Sequence, residues 1–123
     1  MNPEQLIKQA IIAQKRAIAP YSKYLVGAAL QTKNGDIILG CNIESKAYPT
    51  TLCAERVAIF SALSQGYNKF ESLALITIDG AFPCGSCRQI IHEYTKDIPI
   101  YIASQSGKYI TKTSSEILPF PFG

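Results

Sequence analysis

The chain has no apolar run of 18 residues, so no segment reads as a membrane-spanning helix. Its first residues, Met1-Asn2-Pro3-Glu4, lack a basic stretch followed by an apolar one, and export is not expected; the expected location is cytoplasmic. Charge is sparse: twelve Lys/Arg stand against nine Asp/Glu, scattered singly apart from Lys15-Arg16. No basic stripe forms, which disfavours a nucleic-acid partner. Repeats, linkers and low-complexity tracts are missing too, so residues 1–123 read as one domain, long enough to bury about two thirds of the unfolded surface. Histidine is reduced to His92, five residues past Cys87 and well round any helix from it, where it reads as a surface residue.

What is present starts with apolar content. Hydrophobic residues make up 47% and charged residues 17%, which fits an ordinary globular domain and leaves an apolar surplus for subunit contacts. Asn2-Pro3 is a helix-entry signal. Leu6, Ile7, Ala10, Ile11, Ala17 and Ile18 then recur at helical spacing up to Pro20. Val26 to Thr32 and Asp36 to Cys41 flank Asn34-Gly35, a hairpin signal. Gly27, Ala28 and Ala29 predict close packing against the first of these strands. A second helix is predicted from about Leu52 to Gln65, ending at Gly66 and apolar on nearly every side, hence buried. Ser72 to Ile78 reads as a central strand covered on both faces. A helix from about Gly85 to Tyr94 and strands at Ile98 to Ala103 and near Tyr109 to Thr113 complete the order αββαβαββ. That order is an α/β fold (an α-β-α sandwich) with one sheet and helices on both sides.

Four cysteines in a presumed cytosolic chain favour metal or catalysis over disulfides. Three of them fall in two short segments, Cys53-Ala54-Glu55 and Pro83-Cys84-Gly85-Ser86-Cys87. Cys84 and Cys87, three apart at a helix start, lie on one side and can grip one ion. Cys53 and Glu55 are two apart and face one ion only if it sits off the helix N-terminus, near the axis. Two helix N-termini would then converge on the metal, and their positive ends favour thiolates. Three thiolates leave the fourth corner of a tetrahedral zinc open for water, and Glu55 is placed to move that water's protons. A closed structural site would need four protein ligands. Cys-x-x-Cys alone also fits a redox pair, and a four-cysteine site would recruit Cys41. Cys41, however, ends an apolar run without paired spacing and reads as a small buried hydrophobe. A surface salt-bridging role for Glu55 does not suit so apolar a helix.

These segments resemble the cytidine deaminases, specifically the small homotetrameric class with three cysteine ligands and a non-ligand glutamate. The resemblance spans nearly the whole chain: Ala19-Pro20-Tyr21-Ser22, Val26-Gly27-Ala28-Ala29, Gly40-Cys41-Asn42-Ile43-Glu44, Cys53-Ala54-Glu55-Arg56, Pro83-Cys84-Gly85-Ser86-Cys87-Arg88-Gln89 and Leu118-Pro119-Phe120-Pro121-Phe122. It implies a five-stranded mixed sheet and one Zn2+ per subunit held by Cys53, Cys84 and Cys87. The implied reaction is hydrolytic deamination of cytidine and deoxycytidine to uridine and deoxyuridine, in pyrimidine salvage, with Glu55 moving the protons. It implies that Asn42 and Glu44 hold the sugar hydroxyls and that Tyr24 packs beside the base, with Ile43 and Ala54 among the substrate contacts. Alternate residues of a strand end share a face, so Asn42 and Glu44 can point together at a diol; a polar strand end facing solvent is the other reading. Tyr48 and Phe122 are implied to reach a neighbouring subunit's site; a free terminus is the other reading of the Phe-Pro-Phe tail. Arg56 is expected to donate to ligand sulfurs and offset the charge of three thiolates, against the alternative of an exposed helix arginine. Tyr24 stands where phenylalanine is usual, Ser45 where asparagine is, and Phe82 replaces a small residue. The rival readings are a blasticidin-type aminonucleoside deaminase and a non-catalytic zinc-binding module.

Overall fold

The computed structural model describes residues 1–122. Helix α1 (Pro3–Gln14) starts at a reciprocal cap: Gln5 N–H donates to Asn2 Oδ1 at 2.8 Å, and Asn2 N–H donates to the Gln5 side chain at 3.0 Å. Apolar spacing predicts helix up to Pro20, but α1 ends at Gln14, leaving Ala17 and Ile18 outside it. The backbone of Ile18 is claimed elsewhere. Its N–H donates to Asn42 O at 3.0 Å, and its carbonyl accepts from Glu44 N–H at 2.8 Å, which makes Ile18 a strand-like partner of the segment after β2.

Strands β1 (Gly27–Thr32) and β2 (Ile37–Cys41) are joined through Lys33, Asn34, Gly35 and Asp36. Gly35 N–H closes the turn onto Thr32 O at 3.0 Å, and Gly35 takes φ +91°, which only glycine adopts without strain. A short 3-10 turn, Tyr48–Thr50, precedes α2 (Ala54–Ser64). Then follow β3 (Phe70–Thr77), α3 (Gly85–Thr95), β4 (Pro99–Ser104), β5 (Tyr109–Thr113) and α4 (Ser114–Ile117). The short α4 is not foreseen by the αββαβαββ order. It begins directly on the last residue of β5, where Thr113 and Glu116 cap each other's backbone without any intervening turn signal.

Among the described residues, five strands form one mixed sheet in the order β2-β1-β3-β4-β5. β3 and β4 run parallel, and the other neighbours are antiparallel. Successive residues of a strand face opposite ways, so the sheet has two apolar faces. Ala29, Ala74, Ile76 and Ala103 pack under α1 with Leu6 and Ala10. Ala28, Leu30, Leu73, Leu75, Ile100 and Ile102 pack on the opposite side with Ala58, Ile59 and Ala62 of α2 and Ile91 of α3. Helices therefore cover both sides of an α/β sheet.

Two glycines set how close the helices come. A Cβ on Gly27 would lie 2.0 Å from Ala10 O, so α1 rests on β1 backbone. A Cβ on Gly40 would lie 2.4 Å from Ala54 O, which brings the first turn of α2 down onto β2. Two expectations need correcting. α2 is not buried all round, because it belongs to an outer layer and only one flank meets the sheet; Phe60 is 39% exposed, edge-on to Tyr94 at 6.4 Å. Ile78 lies past the end of β3 and is exposed.

Candidate active site

Cys53 and Cys84 are the residues just before α2 and α3, both in extended conformation. Their carbonyls accept the first helical bonds, from Val57 N–H and Arg88 N–H, both at 3.0 Å. Neither thiol caps its own helix, so both remain free to point outward from the helix ends. The Sγ atoms of Cys53 and Cys84 are 3.9 Å apart, and Cys84 Sγ is 3.2 Å from Cys87 Sγ. All three sulfurs lie within 4.8 Å of one another, the one such ligand cluster among the described residues. Cys41 is outside it, half-buried, with a thiol that burial pushes up. The four-cysteine reading therefore fails.

The electrostatics of the cluster follow from burial and one arginine. Arg56 donates through Nη2 to Cys53 Sγ at 3.3 Å. Hydrogen bonding from Cys87, with the Arg56 guanidinium adding to it and burial opposing, pulls the Cys53 thiol down to about 5. Cys87, completely buried, is pushed up because Cys53 takes the negative charge of the pair. Glu55, only 5% exposed, has its carboxyl pushed up to about 7 by burial, and the charge on Cys53 adds to the shift. A soft donor set of three sulfurs with a positive group beside it suits zinc, and three protein ligands leave room for a reacting molecule.

In front of the cluster lies a cavity of about 460 Å³. Cys53, Ala54, Glu55, Cys84, Tyr24 and Asn42 are among the residues that line it. A buried carboxylate and a thiol cluster thus open onto the same cavity.

Residues 1–102 match the model of the cytidine and deoxycytidylate deaminase zinc-binding region. The chain belongs to the cytidine and deoxycytidylate deaminase family.

A cytidine deaminase of Sporosarcina psychrophila is 42% identical, with 99% of this chain and 92% of that protein covered. The crystal structure of a cytidine deaminase from Burkholderia pseudomallei superposes with a TM-score of 0.96 at 37% identity, covering 99% of this chain and 100% of that one. A blasticidin-S deaminase of Bacillus cereus is 34% identical over 82% of this chain and 79% of its own length. The zinc-binding region and the three-cysteine cluster together fit one zinc ion per chain.

The residues that the family resemblance implies do not all converge. Tyr24, Asn42, Glu44 and Ala54 line the cavity with Glu55, Cys53 and Cys84. Asn42 is buried, and its amide is held at both ends: Val26 N–H donates to Oδ1 at 2.9 Å, and Nδ2 donates to Tyr24 O at 2.7 Å. Glu44 accepts from Tyr21 N–H at 2.9 Å, from Ser22 N–H at 3.1 Å and from the Ser22 hydroxyl. Ile43 does not line the cavity; its N–H and carbonyl pair with Leu52, and the residue is 40% exposed. Tyr48 stands beside an adjoining hollow of about 270 Å³ that shares Ser22, Glu44 and Thr51 with the cavity. Phe122 is away from this chain's own cavity; its backbone is gripped by the Gln89 side chain through two bonds of 3.0 Å, leaving the ring 89% exposed.

Sequence reasoning missed Thr77, Asp79 and Ala81. The Tyr24 hydroxyl donates to Asp79 Oδ1 at 2.6 Å, and Thr77 and Ala81 line the cavity. Asp79-Gly80 at a strand end is a turn signal that places residues at the mouth of a sheet, and it was the available clue. His92 is also less exposed than expected: its Nδ1 is buried with no hydrogen-bond partner among the described residues.

Proposed function

We propose that this chain hydrolyses the exocyclic amine of cytidine and deoxycytidine, releasing ammonia and leaving uridine and deoxyuridine. The observation that carries this is the buried Glu55 lining the same cavity as Cys53 and Cys84, with Cys87 completing the sulfur cluster behind them. Those three cysteines would hold the zinc, which supplies a Lewis acid that makes water nucleophilic near neutral pH. Glu55 accepts a proton from the attacking water and returns it to the adjacent ring nitrogen as oxygen bonds to the amine-bearing carbon. Glu55 then takes the remaining proton of the added oxygen and delivers it to the amine, so that the C–N bond breaks, ammonia leaves and the carbon is left as a carbonyl. One carboxylate serves for both transfers because it alternates between base and acid. The Arg56 guanidinium offsets the negative charge of the sulfurs.

Asn42 and Glu44 are the candidates for the sugar end of the cavity, and Tyr24 is the candidate ring beside the base. Because Asn42 and Glu44 already bond the Tyr21–Val26 segment, they arrive at substrate with their orientation set. We read the chain as one deaminase domain acting in the cytoplasm in pyrimidine salvage, and as a homotetramer with Tyr48 and Phe122 meeting a neighbour's site. The exposure of these two aromatic side chains, 76% and 89%, supports the last point.

The experiment is ammonia release from cytidine, deoxycytidine and blasticidin S side by side, before and after chelation of the metal. Activity on the cytosine nucleosides that disappears with zinc is expected. Turnover of blasticidin S alone, or of none of the three by zinc-loaded protein, would sink the reading.

A further inference from the structure

Two walls of the cavity come from segments far apart in sequence. One is the loop carrying Ser22 and Tyr24; the other runs from Thr77 through Ala81 and Phe82 to Cys84. Each wall is braced internally. On the first, Glu44 accepts from Tyr21 and Ser22, Tyr24 N–H donates to Ser22 Oγ at 3.1 Å, and Asn42 Nδ2 holds the Tyr24 carbonyl. Lys23 sits between them at φ +61°, a conformation that a lysine keeps only when its surroundings impose it. On the second, Thr77 Oγ1 accepts from Gly80 N–H at 2.8 Å and Ala81 N–H at 3.1 Å, and Ala81 N–H also donates to Asp79 Oδ1 at 3.2 Å.

These walls are joined by a hydrogen bond from the Tyr24 hydroxyl to Asp79 Oδ1 at 2.6 Å. That length is typical of a hydroxyl donating to a carboxylate, roughly twice as strong as a neutral pair. The same Asp79 oxygen accepts from the Thr77 hydroxyl at 3.2 Å, so the carboxylate is fixed before Tyr24 reaches it. With its one proton spent on Asp79, the Tyr24 hydroxyl has none to donate to a substrate. The tyrosine therefore acts as an aromatic surface with a tether, where phenylalanine would be the surface alone.

We propose that Asp79 is a positioning residue for substrate: through its bond to Tyr24 it holds the two walls at a fixed separation and so sets how tightly the nucleoside base is gripped. The proposal rests on reading the cavity as the nucleoside site. Among the described residues the tether makes no hydrogen bond to Glu55 or the sulfurs, so its loss belongs in KM and not in the chemical step.

The test compares Tyr24→Phe, Asp79→Ala and the double variant, each zinc-loaded, by KM and kcat on cytidine and by hydrogen exchange at Ala81 and Phe82. Tyr24→Phe is the decisive variant, because it removes one hydroxyl and leaves the bond from Ala81 to Asp79 in place. Each single change is expected to raise KM about tenfold with kcat within about twofold, and the double variant to do no more than the worse single one. Exchange at Ala81 and Phe82 should quicken in Tyr24→Phe. Wild-type KM and wild-type exchange in Tyr24→Phe would overturn the proposal, as would two KM effects that multiply in full. Should the wild type itself fail to deaminate cytidine, the substrate reading falls by that result, and the exchange rates alone then decide whether the tether holds the wall.

Discussion

The Arg56 guanidinium reaches back along one turn of α2 and donates to Cys53 Sγ at 3.3 Å, placing a permanent positive charge against one member of the sulfur cluster. That contact adds to the Cys87 hydrogen bond in pulling the Cys53 thiol down, and three thiolates around one ion need such an offset. Removing the guanidinium is expected to weaken zinc retention by about 10- to 100-fold. Metal content of Arg56→Ala after graded chelator treatment checks it. Retention equal to wild type would mean that the arginine has no bearing on the metal.

Glu55→Gln separates the proton shuttle from the scaffold. Glutamine keeps the shape and loses the transferable proton, so turnover should fall by about two to four orders of magnitude while zinc stoichiometry stays the same. Because burial already penalises the charged carboxyl, the amide should not lower Tm. A variant with full zinc and more than a tenth of wild-type turnover would refute the shuttle.

Gly27→Ala tests the packing of α1 on the sheet. Its methyl would meet Ala10 O at 2.0 Å and Gln14 N at 2.7 Å, both backbone, so the helix has to move bodily. Overpacking of this kind costs about 1–3 kcal/mol, which in a chain of this size lowers Tm by at least about 3 °C. Gly85→Ala, where the methyl meets open space, is the control and should leave Tm nearly unchanged. Equal Tm values for the two variants would contradict the contact.

Glu44 carries the pH dependence. The Ser22 hydroxyl, and after it the Ser22 and Tyr21 N–H groups, hold its carboxyl below the ordinary glutamate range against a smaller effect of burial. A native pKa below the unfolded one means that these bonds stabilise fully above about pH 4.5 and are lost as pH falls through the native value. Wild-type Tm should therefore decline more steeply than that of Glu44→Gln between about pH 5 and pH 3. Parallel acid limbs in thermal melts would show that the carboxylate contributes nothing to folding.

Local signals carried much of the fold. The Asn2 cap, the Asn34-Gly35 turn and the apolar run of β3 act over a few residues and decide their own structure, so the succession of elements from α1 to β5 could be read directly, while the short α4 after β5 could not. The end of α1 could not, because it is set by Asn42 and Glu44 bonding Ile18 from across the chain. Gly40 was equally silent: its role depends on Ala54 arriving 2.4 Å from where a side chain would begin. At the site, the spacing of Cys53, Cys84, Cys87 and Glu55 was legible because metal chemistry restricts both residue type and number. Asp79 was not, since its significance lies in a hydroxyl 55 positions earlier in the chain.

Cys53 and Cys84 occupy the places where a serine or aspartate would ordinarily tie off the opening turn of a helix, and neither does so. Chemistry and architecture therefore compete for the same two side chains, leaving α2 and α3 without a side-chain cap at the ends that must be most accurately placed. An ion gripping both sulfurs would serve as a common fastener for the two helix openings, so that loading the metal and stiffening the scaffold become a single event.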